Sequence, residues 1–301
     1  NPQGVYSLLT TKIFMRKIGM ARRHIMSTPL RERTIQTLQL GHYSERTIET
    51  YIRWLVRLAE HYHRSPDQLD SEEVQAFLLH LIRDEHLAWN TVNQALAAYR
   101  FLYEKVLHQP REKLCVPARR KETRRACAYS KEQVIAILRE ARNPKHHALL
   151  MCVYGAGLRV GEVVALKPRH IESQRGLIRV EQGKGRKDRY TALPNRLLEE
   201  LRSYYRCFHP KEWLFFGRDK ALPLPIGSAQ KIFYLARDRA GIDHGGIHTL
   251  RHSFATHLLE AGADIFELKR MMGHSAIKTT SGYIHLSREH LMSIRSPLET
   301  L

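Results

Sequence analysis

The chain has 301 residues, 43% of them hydrophobic and 26% charged, which is the make-up of a globular protein about two domains long and excludes wholesale disorder. Its 49 lysines and arginines against 30 acids give a formal charge of +19, a surplus that calls for a polyanionic partner, with nucleic acid first in line. The longest uncharged apolar stretch, 148–158, is too short for a bilayer, and Cys115, Cys127, Cys152 and Cys207 form no CxxC pair, so no membrane span, disulfide framework or zinc knuckle is read.

Residues 1–29 contain no acid, and Lys12, Arg16 and Lys17 interrupt any secretory apolar core, so a disordered leader is expected there. From Ser44 the apolar residues Ile48, Tyr51, Ile52, Leu55, Ala59 and Tyr62 fall at helical spacing until Ser65-Pro66 ends the run. Asp70, with Glu73 three residues on, opens a second helix whose buried stripe is Val74, Phe77, Leu78, Leu81 and Ile82. A third begins near Asn90 and carries Val92, Leu96, Tyr99, Leu102, Tyr103 and Val106. Together 30–110 reads as a small helical domain with Arg46, Arg53, Arg57, Arg64, Arg83 and Arg100 on its outer faces.

The stretch 111–125 holds seven basic and two acidic residues around Pro117 with no apolar period. It reads as a basic linker, 111–127; by itself it also fits a solvated surface loop, but its place between two helical blocks favours a hinge that lies on DNA through Arg119, Arg120, Lys121, Arg124 and Arg125. A second domain, 128–286, opens on a Ser130/Gln133 capping box. Helices run to Tyr154, Gly155-Ala156-Gly157 turns the chain, and 177–180 and 189–193 read as strands around the basic turn Gly183-Lys184-Gly185-Arg186-Lys187-Asp188. Helices follow at 195–208, 228–240, 249–261 closed by Gly262, and 264–272 closed by Gly273.

Six residues in this domain fit poorly as pure structure. Arg159 falls in an apolar helical run with Glu162 one turn on, so it needs either that carboxylate or an anionic ligand. Lys184 sits at the tip of a two-glycine turn where backbone can approach a phosphate. His248 and Arg251 share a face at a helix start, off the positive end of its dipole. His274 follows the Gly273 stop, and Tyr283 comes nine residues later. Each alone has an ordinary structural reading. Together, two arginines, a lysine and two histidines can surround one phosphate with a tyrosine hydroxyl beside it. No acidic cluster accompanies them, so a two-metal nuclease lacks ligands here. His252 and His257, five apart on one helix, lack further ligands to complete a metal set.

The segments GLRVGE (157–162), GKGRKDR (183–189), HTLRHSFATH (248–257) and GHSAIKTTSGYIH (273–285) resemble, in order and spacing, the motifs of the tyrosine recombinase or lambda-integrase family, Xer-type and integron-type members above all. Met271-Met272, where leucine is common, and Gly282 before the tyrosine depart from that pattern. The resemblance implies a mainly α fold with a small β-sheet: an N-terminal helical, SAM-like core-binding domain followed by a C-terminal α+β catalytic domain. It implies that Arg159 and Arg251 clamp the phosphate, that Lys184, His248 and His274 complete the site, that Glu162 supports it, and that Tyr283 is the nucleophile. It further implies a 3′-phosphotyrosyl link, a Holliday junction, no metal and no cofactor. The partners implied are double-stranded DNA, contacted also by Arg186 and Lys187, and three further copies of the chain joined through 287–301. A cytoplasmic, nucleoid-associated setting in bacteria goes with that. Nick-swivel-reseal topoisomerase activity and a non-catalytic DNA-binding regulator are the competing functions.

Overall fold

The computed structural model describes residues 28–109, 128–181 and 188–273. The chain divides between Lys121 and Glu122 into two compact units, each with its own core.

In the first unit α1 spans Thr28–Leu40, α2 Glu45–Tyr62, α3 Ser71–Arg83 and α4 Trp89–Phe101, the last running into a π turn at Leu102–Val106. The starts of α2 and α3 are set by short polar side chains that satisfy orphan N–H groups. Thr47 N donates to Ser44 Oγ at 3.3 Å. Asp70 and Glu73 cap each other reciprocally, Glu73 N to Asp70 Oδ1 at 2.8 Å and Asp70 N to Glu73 Oε2 at 3.0 Å. Ile48, Ile52, Leu55 and Ala59 of α2 are buried with Val74, Phe77, Leu78 and Leu81 of α3 and Val92, Leu96 and Tyr99 of α4. Ile82 departs from expectation: it is 37% exposed. At 3.6 residues per turn it lies about 80° round the helix from Val74, on the shoulder of the stripe rather than within it. The helix α1 is an addition to the expected elements. Its buried face includes a threonine, Thr34, whose hydroxyl donates to Leu30 O at 2.7 Å.

All five described non-glycine residues with positive φ are histidines: His42, His63, His86, His108 and His209. Each follows a helical segment, and histidine is among the residues that tolerate the left-handed region. Part of the chain's complement of 18 histidines is thus engaged in turning the backbone.

The second unit begins with Tyr129, whose N–H donates to Ser253 Oγ at 2.8 Å and whose hydroxyl donates to His244 O at 2.7 Å. The helices α5 (Lys131–Glu140) and α6 (Pro144–Gly155) follow, α5 opened by the expected Ser130/Gln133 box. After α7 (Val160–Val164), strands β1 (Ile171–Glu172), β2 (Leu177–Val180) and β3 (Arg189–Ala192) form an antiparallel sheet in that order, with Ile178 opposite both Ile171 and Thr191. The two-residue β1 is too short to show a period of two in sequence. Then come α8 (Asn195–Phe208), α9 (Ile226–Arg239), α10 (Ile247–Glu260) and α11 (Ile265–Met272). The largest core packs α5–α10 over the sheet, and a smaller one, Phe254, Ala255, Leu259, Leu268 and Met272, joins α10 to α11. No helix among the described residues is long and apolar enough to cross a membrane.

Candidate active site

Four segments of the second unit converge. The first is the turn after α6. Gly157 has φ +61°, and a Cβ there would stand 2.5 Å from the Phe254 ring and 3.2 Å from Met272 Sδ. Both the backbone angle and the close approach therefore require glycine. Gly157→Ala is expected to destabilise the protein by more than about 2 kcal/mol, read as a lowered urea midpoint, because strain in φ adds to overpacking. Thr191 Oγ1 of β3 donates to Ala156 O at 2.8 Å and fixes the turn to the sheet.

Arg159 is the second element. It stands at the N-cap of α7 with extended backbone (φ −70°, ψ 151°), not inside a helix as its apolar neighbours suggest. The turn imposed by Gly157 delays the helix until Val160. Its N–H donates to Glu162 Oε2 at 2.8 Å and its Nη1 to Glu162 Oε1 at 2.7 Å. The structural ion pair expected from sequence is present, yet Glu162 does not belong to Arg159 alone.

Arg189, first residue of β3, grips the same carboxylate end-on with both prongs, Nη1 to Oε1 and Nη2 to Oε2, both at 2.8 Å. Arg251 of α10 brings Nη1 to 3.6 Å from Oε2. Three guanidiniums thus surround one carboxylate and leave a surplus of two positive charges. Burial pushes the Glu162 carboxyl up, but the hydrogen bonds and charge of Arg189, and then the bonds from Arg159, outweigh that and hold it at about 2. The side chains of Arg251, Glu162 and Arg189 are 5%, 9% and 11% exposed, whereas that of Arg159 is 24% exposed.

The same arginines reach the end of α11. Arg189 Nε donates to Met271 O at 2.9 Å, Arg251 Nη2 to Met272 O, and Arg159 Nη2 to Gly273 O at 3.3 Å. Three consecutive carbonyls at a helix C-terminus, where intrahelical donors run out, are each held by a different guanidinium. Arg251 Nη1 also donates to Gly157 O. Gly273 closes α11 in the left-handed region, as expected, with φ +61°.

His248 lies in the first turn of α10 and is exposed. Partial desolvation of its ring and the positive charges of Arg251 and Arg159 lower its pKa, so the imidazole is held neutral at physiological pH. Arg159, Glu162, His248 and Arg251 are therefore brought together. Lys184, His274 and Tyr283 lie outside the described residues, as do Arg119, Arg120, Lys121, Arg124, Arg125, Arg186, Lys187 and the segment 287–301. Among the described residues no three His, Cys, Asp or Glu side chains form a group able to hold a metal ion.

The sequence reading assigns Arg189 no role in the site and takes it as the end of the GKGRKDR segment and the start of a strand. A signal for it exists. In β3 it shares a face with Thr191 and Leu193, both buried, and an arginine on an inward face needs an anionic partner.

The phage integrase family matches residues 128–290, and its N-terminal SAM-like domain matches residues 30–113. An integrase/recombinase of Escherichia coli is 32% identical over an alignment of 317 positions that covers 90% of this chain and 92% of that one. The tyrosine recombinase XerA of Thermococcus kodakarensis is 32% identical over 260 residues, 84% of this chain and 89% of that one. Among solved structures, a lambda integrase dimer bound to a COC′ core site superposes with a TM-score of 0.70 at 16% identity, covering 90% of this chain and 98% of that one. The XerH recombinase bound to palindromic difH, in a post-cleavage complex, gives 0.68 at 20% identity, covering 85% and 80%. The two-unit architecture, a helical domain followed by an α+β one, is that of the lambda-integrase-like fold. The chain belongs to the phage integrase family. It is a tyrosine recombinase, an enzyme of site-specific DNA recombination.

Proposed function

We propose that the protein cleaves and rejoins DNA through a covalent bond between Tyr283 and a backbone phosphate. The observation that carries this reading is the surplus of positive charge where Arg159, Arg189 and Arg251 meet over a single carboxylate. A phosphorane transition state gains charge on its non-bridging oxygens, and guanidinium forks match that geometry. Tyr283 gives its phenolic proton to His248 and attacks phosphorus. The bond to O5′ breaks, Lys184 supplies the proton that O5′ takes, and the products are a 3′-phosphotyrosine and a free 5′-hydroxyl. The lowered pKa of His248 leaves it able to accept that proton. Arg159, Arg251 and His274 contact the non-bridging oxygens. The energy of the phosphodiester is kept in the new bond, so a 5′-hydroxyl from the partner strand reseals it without ATP.

Four protomers on two duplexes carry out two such rounds through a Holliday junction, with 287–301 of each protomer packed on a neighbour. Arg119, Arg120, Lys121, Arg124, Arg125, Arg186 and Lys187 contact phosphates, and that part of the affinity falls steeply with salt. The test is a set of nicked suicide duplexes tiled across the DNA that flanks the gene, in EDTA, with covalent protein–DNA adduct as the readout. An SDS-resistant adduct on one of them supports the reading, and no adduct on any overturns it. Arg159→Ala on the attacked duplex is expected to slow adduct formation by about 10²–10³-fold with a far smaller loss of binding. Equal losses would make Arg159 a DNA anchor.

A further inference from the structure

We propose that Arg189 is a positioning residue for strand cleavage, acting on Arg159 through Glu162. The inference rests on the phosphotyrosyl reading above and adds a residue to it. A carboxylate offers about four lone-pair directions. Glu162 receives two bonds from Arg159 and two from Arg189, and the Arg189 pair is the two-pronged one, made by a single guanidinium edge. That grip fixes the plane of the carboxylate, and Arg159, 24% exposed, hangs from it by one backbone and one side-chain bond. Without Arg189 a carboxylate 9% exposed would turn to the cations that remain. It would take more of the donors of Arg159 and Arg251 and draw those guanidiniums away from the place where a phosphate must sit.

Arg189 also holds Met271 O, so it ties β3 to the end of α11. A Cβ on Gly273 would stand 2.8 Å from Arg189 Cδ, so the glycine that closes α11 lies directly on this side chain. Arg189 is itself 11% exposed and turned inward, which suits an orienting role and not a DNA contact.

The experiment measures, on the duplex that the wild-type protein attacks, the first-order rate of adduct formation at saturating protein, the DNA affinity and the thermal midpoint. Arg189→Met is expected to slow adduct formation by about 10²-fold, the scale of a misplacement near 1 Å. DNA affinity should change by less than about tenfold. Arg189→Lys keeps the charge but not the fork, and is expected to remain at least about tenfold slow. It also serves where the methionine variant does not fold. In a Glu162→Gln background, Arg189→Met or Arg189→Lys should cost less than about tenfold further, since the carboxylate it orients is gone. Wild-type rates in Arg189→Lys, a parallel loss of affinity, or undiminished cost in the Glu162→Gln background each overturn the proposal. Absence of adduct with the wild-type protein overturns instead the reading on which it rests.

Discussion

Tyr283→Phe protein is expected to bind its duplex with unchanged affinity and to form no covalent adduct. The substitution removes one oxygen and leaves the ring, so the contact surface of the protein is preserved while the atom proposed to join phosphorus is lost. The hydroxyl of tyrosine has an ordinary pKa near 10 and is a weak nucleophile at neutral pH. Its reactivity depends on surrounding cations, which favour the phenolate, and on a base such as His248. A residual rate from an unactivated hydroxyl is therefore not expected. Suicide duplex followed by denaturing electrophoresis gives the answer directly, with a gel shift on the same samples for binding. An adduct in the phenylalanine variant would mean that another residue is the nucleophile.

Glu162→Gln is expected to cost about 3–5 kcal/mol of stability, because three guanidiniums are left near one another with no buried counter-charge. For a unit of this size that is a fall of roughly 10 °C in the thermal midpoint. The pH dependence carries its own signature. The folded carboxyl titrates at about 2 against an ordinary 4.5, a depression that supplies about 3 kcal/mol above the higher value and loses it as pH falls through the lower. The stability gap between wild type and variant should thus be full at neutral pH and narrow between about pH 4.5 and 2. Urea midpoints across that range measure it. A gap independent of pH would mean that Glu162 holds the arginines by shape rather than by charge.

Local signals were the legible ones. The Asp70/Glu73 and Ser130/Gln133 boxes and the Gly273 stop each depend on residues within one turn of one another, so sequence alone identifies them. The bounds of α8 likewise follow from its own amphipathic period. What sequence could not supply came from outside the segment concerned. Arg159 caps α7 because Gly157 must give way to the Phe254 ring, a contact nearly a hundred residues along the chain. The helix α1 places a threonine among its buried residues, which breaks the apolar stripe. Of the candidate site, the pairing of Arg159 with Glu162 was open to inspection because it spans one helical turn. The role of Glu162 as the shared partner of three arginines was not, since Arg189 and Arg251 reach it from distant positions.

The arginines that hold Met271, Met272 and Gly273 come from β3, α10 and the N-cap of α7, so the end of one helix is keyed to three other parts of the fold. Chimaeras built between relatives inherit that constraint. A graft that moves α10 and α11 without the residues matching 157–162 and 189 joins a lock to a foreign key, and the transplantable module is the whole set.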